Sequence, residues 1–233
     1  MRIGLACAAA AALHGCGGGI SGEVRDASSE RPLERARVEV SSVGWGVRDG
    51  GLVKDKTTAR AAATDKSGRF AFPDLSGGVA LRAVATGFNP VDTPLCSRSP
   101  MVVRLGGPFD GRKLDNMLRL TAGAGWRFGA NPAIVPLSDA DLAVDRLPAG
   151  GAAEVIFRAP LGLAFTPGTG NPPMPPPLAQ TESLTIDLLE CGWLFVRTNE
   201  GGTAAIRVGS FGFDEPLQGE RALMLSYGVL PGR

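Results

Sequence analysis

The fold class of this chain follows from one stretch, Thr64-Asp-Lys-Ser-Gly-Arg-Phe-Ala-Phe72. The Asp65 side chain can accept hydrogen bonds from backbone amides and Gly68 tolerates a positive φ, so the first half of the stretch predicts a tight turn. In the second half, Phe70 and Phe72 alternate with other residues, which places both rings on one face of a strand. A turn that leads into an alternating strand indicates β-structure.

Further short alternating segments lie on both sides of this stretch. They are residues 20–26, 37–40, 59–64, 79–85 and 101–105, and turn-forming residues separate them. Short strands at regular spacing with turns between them predict a β-sandwich. The polar, glycine-bearing segment from Ser41 to Thr58 is interpreted as a long loop, either a tolerated insertion or a binding loop.

The order of these residues resembles the carboxypeptidase regulatory-like domain, a transthyretin-like β-sandwich. That family has the pattern G-x-V-x-D, then P-L-x-x-A-x-V-x-V, then T-D-x-x-G-x-F-x-F, and then a strand that ends in G-F or G-Y. The matching positions are Gly22, Val24, Asp26, Pro32, Leu33, Ala36, Val38, Val40, Thr64, Asp65, Gly68, Phe70, Phe72, Gly87 and Phe88. The resemblance implies an N-terminal transthyretin-like sandwich over residues 20–108. It also implies a module that assists folding, adhesion or binding, because these domains carry no chemistry of their own.

Residues 109–233 predict a second β-rich domain of unknown type, so the whole chain is predicted to be all-β. The best-formed strands are expected at residues 117–120, 153–157, 184–188, 193–197, 204–208 and 222–227. The turn at residues 199–202 joins two of these strands into a hairpin. The segment from Thr166 to Pro177 contains six prolines and is interpreted as an extended surface loop.

The first residues of the chain have the pattern of a targeting segment. Arg2 is followed by an apolar, alanine-rich stretch from Ile3 to Leu13, which is too short for a permanent membrane span. The Gly15-Cys16 pair that follows resembles the bacterial lipoprotein signal. The resemblance implies a signal peptide at 1–15, lipid on Cys16, a tether at 16–19, and a protein anchored in the bacterial cell envelope. An ordinary secretory signal that is cut nearby is the alternative.

The residues around and beyond Cys16 also predict which membrane carries the protein and whether its remaining cysteines are oxidised. Gly17 stands after Cys16 where an aspartate would signal retention in some bacteria, so the outer membrane is favoured. Cys7 is removed with the signal, which leaves Cys96 and Cys191 in an oxidising compartment. The two cysteines form either a disulfide between the two halves of the chain or two separate buried thiols.

Charge and composition exclude several function classes. The 24 Lys and Arg balance 23 Asp and Glu, which argues against a nucleic-acid partner. The single histidine, His14, lies in the signal, so the mature chain has no histidine-based zinc site and no Ser-His-Asp triad. We predict no catalytic residue, no cofactor and no metal. Asp139, Asp141 and Asp145 could gather around calcium, but solvated carboxylates at a turn are the simpler interpretation.

Two functions remain after these exclusions. The first is a lipid-anchored, non-enzymatic interaction or structural module that holds an envelope protein partner near the membrane. The second is a glycan-binding lipoprotein in which Trp45, in the long loop, stacks on a sugar. Trp193 sits beside a strand and is predicted to belong to the core instead.

Overall fold

A computed structural model describes residues 19–48, 51–73, 75, 80–94, 100–108, 110, 114, 116–147, 154–178, 183–188, 190–214 and 222–230. At residues 42–48, 51–58, 94, 146 and 210–214 the description covers the backbone alone. The described part of the chain consists of β-strands, turns and one short 3₁₀ helix, Leu137–Asp139, and it contains no α-helix. The predicted all-β class is therefore confirmed.

Seven strands are described in the first half of the chain. They are β1 (Ile20–Asp26), β2 (Arg37–Arg48), β3 (Gly51–Ala63), β4 (Arg69–Phe72), β5 (Ala80–Val84), β6 (Val91–Pro94) and β7 (Met101–Leu105). β1 lies between β4, to which it is antiparallel, and β7, to which it is parallel. The other sheet has the order β3-β2-β5-β6. One buried apolar cluster contains residues of both sheets, as expected of a β-sandwich.

The turn before β4 forms as its sequence predicts. The Asp65 carboxylate accepts hydrogen bonds from the backbone amides of Ser67 and Arg69, at 2.8 and 2.9 Å. Gly68 adopts a φ of 73°, which a residue with a Cβ rarely adopts. Burial alternates along β4, and Phe70 and Phe72 are its two buried residues. The turn therefore positions both rings in the core.

Eleven strands are described in the second half of the chain. They are β8 (Asn116–Thr121), β9 (Gly125–Arg127), β10 (Ala133–Val135), β11 (Leu142–Arg146), β12 (Glu154–Arg158), β13 (Leu163–Pro167), β14 (Thr169–Gly170), β15 (Ser183–Asp187), β16 (Gly192–Arg197), β17 (Thr203–Asp214) and β18 (Ala222–Leu230). Ten of them form two five-stranded sheets, with the orders β10-β9-β11-β12-β15 and β13-β16-β17-β18-β8. We call the latter the Trp193 sheet.

The two five-stranded sheets share a buried core of their own. It includes Phe157 and Ile186 from one sheet and Leu194, Ile206 and Leu225 from the other. The predicted hairpin is confirmed, because β16 and β17 pair in antiparallel register around the predicted turn. The short 3₁₀ helix, Leu137–Asp139, lies between β10 and β11.

The interpretation of the proline-rich segment as a surface loop is only partly correct, because Met174 and Pro177 are exposed but other residues of the segment are paired or buried. Its first two residues, Thr166 and Pro167, end β13, and two residues later β14 pairs in parallel with β7 of the first sandwich. Thr169 is 5% exposed, and Pro172 and Pro173 are buried. Proline removes backbone donors but does not prevent burial, and the backbone amides of Asn171 and Met174 donate to carbonyls of the first sandwich.

The interpretation of Ser41 to Thr58 as a loop is wrong. β2 and β3 pair across almost this whole segment, from Ser41 opposite Ala59 to Arg48 opposite Gly51, with an irregularity between Val43 and Trp45. β2 pairs with β5 only as far as Ser41. Residues 42–48 and 51–58 therefore form a two-stranded extension of the sheet, which we call the ribbon.

Candidate functional site

The predicted lipidation and disulfide residues are only partly within the description. Cys16 and Cys96 lie outside the described residues. Cys191 is disulfide-bonded, and its partner also lies outside them. The backbone carbonyl of Cys191 accepts a hydrogen bond of 2.9 Å from Gly168, at the start of the segment that enters the first sandwich. The pairing of Cys96 with Cys191 stays a prediction.

Trp45 lies on the ribbon and not in a loop. It stands in β2 opposite Lys54 of β3. Its side chain is outside the description, so its exposure stays a prediction. In the described part of the chain, ribbon residues beyond Ser41 have no third strand beside them. Both outer edges of the ribbon therefore carry backbone groups without a described strand partner.

Several polar residues that carry the family resemblance hold turns. Asp26 accepts hydrogen bonds from the Ser28 amide at 2.8 Å and the Ser29 hydroxyl at 2.7 Å. The Thr64 hydroxyl donates to the Leu33 carbonyl at 2.6 Å and accepts from the Ala36 amide at 2.9 Å. These side chains therefore stabilise the local structure of the turns.

The three aspartates considered for calcium are not brought together. Asp141 is fully buried, and its carboxylate accepts hydrogen bonds of 2.7 Å from the backbone amides of Phe128 and Asn199. Asp145 pairs with Arg158 at 2.6 Å. In the described ranges no group of three or more Asp, Glu, Cys or His residues could hold a metal ion. The interpretation of Asp141 as a solvated carboxylate is therefore wrong as well.

A buried arginine connects the two halves of the chain. Arg104 on β7 is 5% exposed, and it forms a two-pronged ion pair with Glu30, at 2.7 and 3.1 Å. Its remaining terminal nitrogen donates to the carbonyl of Pro167 at 2.7 Å. Asn171 completes the contact, because its amide donates to the Arg104 carbonyl at 2.9 Å. We call this contact the seam.

A second arginine, Arg207, lies in a different environment. It stands opposite Trp193 in the β16–β17 hairpin, and its guanidinium carbon lies 5.1 Å from the centre of the Trp193 ring. Trp193 is fully buried, and burial lowers the pKa of the Arg207 guanidinium. Arg207 is not among the residues that the sequence singled out as functional candidates. The hairpin register was the signal that could have paired it with Trp193.

Comparison with known proteins adds no identification. No protein-family model, no curated protein and no solved structure matches the chain. Among the residues that the structure describes, no helix is long and apolar enough to cross a membrane. A functional conclusion therefore depends on the residues and contacts described above.

Proposed function

We propose that this protein is a lipid-anchored bacterial envelope protein that acts as a non-enzymatic interaction or structural module. The ribbon is the observation that carries the proposal. A two-stranded ribbon is marginally stable by itself, and its unpaired edges can accept a further strand. A partner strand that pairs with one edge of the ribbon would extend the sheet. The ribbon would then be a docking element and not only a long hairpin between β2 and β3.

The remaining structure supports a scaffold for this ribbon. The polar residues of the first sandwich that match the family pattern stabilise turns, and the seam attaches the second half of the chain to the first sandwich. The predicted lipid on Cys16 would hold this scaffold at the membrane, close to the first strand at Ile20. The outer membrane is the proposed location, because Gly17 follows Cys16.

The anchor is tested with two cysteine variants in cells. We expect the full chain to incorporate an alkyne-labelled fatty acid and to sediment with membranes. Cys16→Ser should lose both properties, because the thiol is the site of acylation. Cys7→Ser is the matched control and should keep both. Label that persists in Cys16→Ser would contradict the proposed anchor.

The interaction role is tested by photo-crosslinking from the ribbon. A photoreactive amino acid replaces Lys54 on the ribbon or, as a control, Lys66 in the exposed turn before β4. We expect one dominant protein adduct from position 54 and none from position 66. Identical adducts from both positions, or no protein adduct from position 54, would contradict the ribbon as the docking element.

Glycan binding is the second candidate function. Trp45 lies on the ribbon opposite Lys54, so an aromatic and a cationic residue share one register position. Aromatic faces suit sugar C–H surfaces, and a neighbouring cation would suit an acidic sugar. Trp45→Ala should abolish retention on cell-wall glycan if this function is correct, while Val47→Ala on the same ribbon should retain it. Unchanged retention by Trp45→Ala excludes this site.

A further inference from the structure

The Trp193 sheet has a second apolar face, turned away from the main core. Leu194 and Ile206 are cross-strand partners and belong to the main core. Their neighbours alternate to the opposite face, where Trp193, Phe195 and Ala205 form a separate buried cluster. Partly buried leucines at positions 114, 178 and 230 pack against this cluster. Arg207, the cross-strand partner of Trp193, brings a charge to this face.

Two hydrogen-bond donors on this face have no acceptor. The Trp193 Nε1 and the Arg207 Nε are both buried, and neither has a hydrogen-bond partner in the described structure. The contact of the guanidinium with the indole ring is a cation–π interaction, which satisfies neither N–H group. Buried polar groups are normally hydrogen-bonded, so two adjacent orphan donors require an explanation.

Two paired arginines show that Arg207 lacks a carboxylate partner. Arg104 has the Glu30 carboxylate and Arg158 has the Asp145 carboxylate. No carboxylate of the described residues pairs with Arg207, although burial disfavours its charge. Arg207 is only partly buried as a whole residue, and of its side-chain nitrogens only Nε is among the buried atoms without a partner, so the end of the guanidinium is the part that a ligand can reach.

We infer that the Arg207 guanidinium, held over the Trp193 ring, is a carboxylate-binding site, at which an acidic side chain of the protein partner is held. The inference rests on the proposed interaction function and names the chemistry of the partner. A guanidinium without a carboxylate of its own selects an anion, and the ligand contacts its terminal nitrogens, because the Arg207 Nε and the Trp193 Nε1 are closed to solvent. The planar fork of a guanidinium matches the two oxygens of a carboxylate, and the indole supplies the apolar surface beneath it.

The site is tested by NMR on the full chain in detergent micelles with ¹⁵N-labelled indoles. Each indole signal is assigned from a Trp→Phe variant, and the ligand is the peptide acetyl-Gly-Glu-Gly-amide. We expect a saturable shift of the Trp193 indole signal with this peptide and none with acetyl-Gly-Gln-Gly-amide. The Trp126 indole is the internal control, because no arginine of the described residues lies over its ring. Equal shifts with both peptides, or none with the glutamate peptide, would overturn the inference.

Variants separate a binding site from a structural contact. Arg207→Met removes the charge and keeps the apolar stem, so it should abolish the shift and raise the melting temperature, because an unpaired buried cation is lost. Arg197→Met is the control, since Arg197 lies on the same face of β16 as Trp193 but is exposed. A lower melting temperature for Arg207→Met would show a structural role and overturn the inference. An equal response to inorganic phosphate would overturn the assignment to a carboxylate.

The inference and the proposed function can fail separately. Arg207→Lys keeps the charge and loses the fork, so it should bind the glutamate peptide about tenfold more weakly while the protein stays folded. In cells, Arg207→Met should keep its fatty-acid label and lose the photo-crosslinked partner. If Arg207→Met still forms the photo-crosslinked adduct, the carboxylate site is excluded but the proposed interaction function stands. If the unmodified chain carries no fatty-acid label, only the proposed lipid anchor is contradicted.

Discussion

At the scale of single residues, polar side chains act as connectors between strands that are distant in the sequence. Asp141 is the clearest example, because one carboxylate binds the amide of Phe128 in one sheet region and that of Asn199 in the β16–β17 turn of the other sheet. An ionised acceptor between two amides forms stronger hydrogen bonds than a neutral one. The two five-stranded sheets are therefore joined at a fixed point as well as by their core.

Replacement of Asp141 should destabilise the protein. Asp141→Ala leaves two backbone amides without their acceptor, and we expect a loss of about 3 kcal/mol in the free energy of unfolding. Asp139→Ala removes an exposed aspartate two residues away and should change stability by less than about 0.5 kcal/mol. Urea unfolding of both variants measures the difference. Equal stabilities would show that the buried hydrogen bonds of Asp141 contribute nothing.

Glu23 gives the protein a defined response to acid. Its hydrogen bond from Arg25, at 2.7 Å, lowers the pKa of the Glu23 carboxyl below its usual 4.5. The carboxylate therefore stabilises the fold above that pH, and the contribution is lost as the pH falls through the lowered pKa. Glu23→Gln should be less stable than the unmodified chain at neutral pH, and the gap should close on acidification.

Thermal unfolding of the Glu23 variant from neutral to acidic pH measures that gap. Glu34→Gln is the control, since Glu34 is exposed and makes only a 3.7 Å contact with its neighbour Arg35. A gap between Glu23→Gln and the unmodified chain that stays constant with pH would contradict the proposed cause.

At the scale of elements, the proline-rich segment adds strand β14 to the first sandwich and depends on glycines to do so. Gly170 has a φ of 85°, and a Cβ at this position would lie 2.4 Å from the backbone carbonyl oxygen of Arg104. The strand can approach β7 this closely only because the side chain is absent. The segment therefore requires glycine for both its backbone conformation and its close packing.

Gly170→Ala should weaken the attachment of the segment. We expect a loss of about 3 kcal/mol in unfolding free energy, which combines backbone strain with a backbone clash that rotamer changes cannot relieve. Gly201→Ala is the matched control, because its φ is 79° but nothing lies within 4 Å of the added Cβ. That variant should lose only about 1 kcal/mol. Equal losses in chemical denaturation would show that close packing against β7 is unimportant.

At the scale of the whole molecule, two separate cores are connected through a few specific contacts. Each sandwich buries its own apolar cluster. The seam joins them through Arg104, Glu30 and the segment after Pro167, and Met174 adds a backbone hydrogen bond of 3.1 Å to Ala27. Such contacts couple the unfolding of the two cores, so calorimetry of the unmodified chain should show one transition.

The disulfide of Cys191 is expected to strengthen this coupling. Gly168 binds the Cys191 carbonyl, and the hydroxyls of Thr169 and Thr93 are in contact, which places the chain near residue 93 close to Cys191. Cys96 is therefore the expected partner. A proteolytic digest without reductant should contain one linked peptide with both cysteines, and reduction should lower stability by about 2–4 kcal/mol. A linked peptide with another cysteine would contradict the pairing.

The sequence by itself determined the local structure of the strands and turns. Three kinds of feature depend only on residues that are close together in the sequence. They are the alternation along β1, β4 and β7, the Asp65 turn and the β16–β17 hairpin. For the same reason the sequence indicated that Trp193 is buried beside a strand, and Trp193 is indeed fully buried. The predicted lipid anchor is also a local pattern.

Only the tertiary structure decided the roles that depend on distant partners. The polar residues from 41 to 58 were predicted to form a loop because they lack apolar alternation. The ribbon that they form instead is stabilised by pairing between its two strands. The proline-rich segment was predicted to be exposed because its hydrogen-bond partners on β7 lie more than sixty residues earlier in the sequence. In the sequence, Asp141, Arg104 and Arg207 look alike as isolated charged residues in or beside strands. Their burial and partners, which are properties of the folded chain, separate a connector, an ion pair and an unpaired cation.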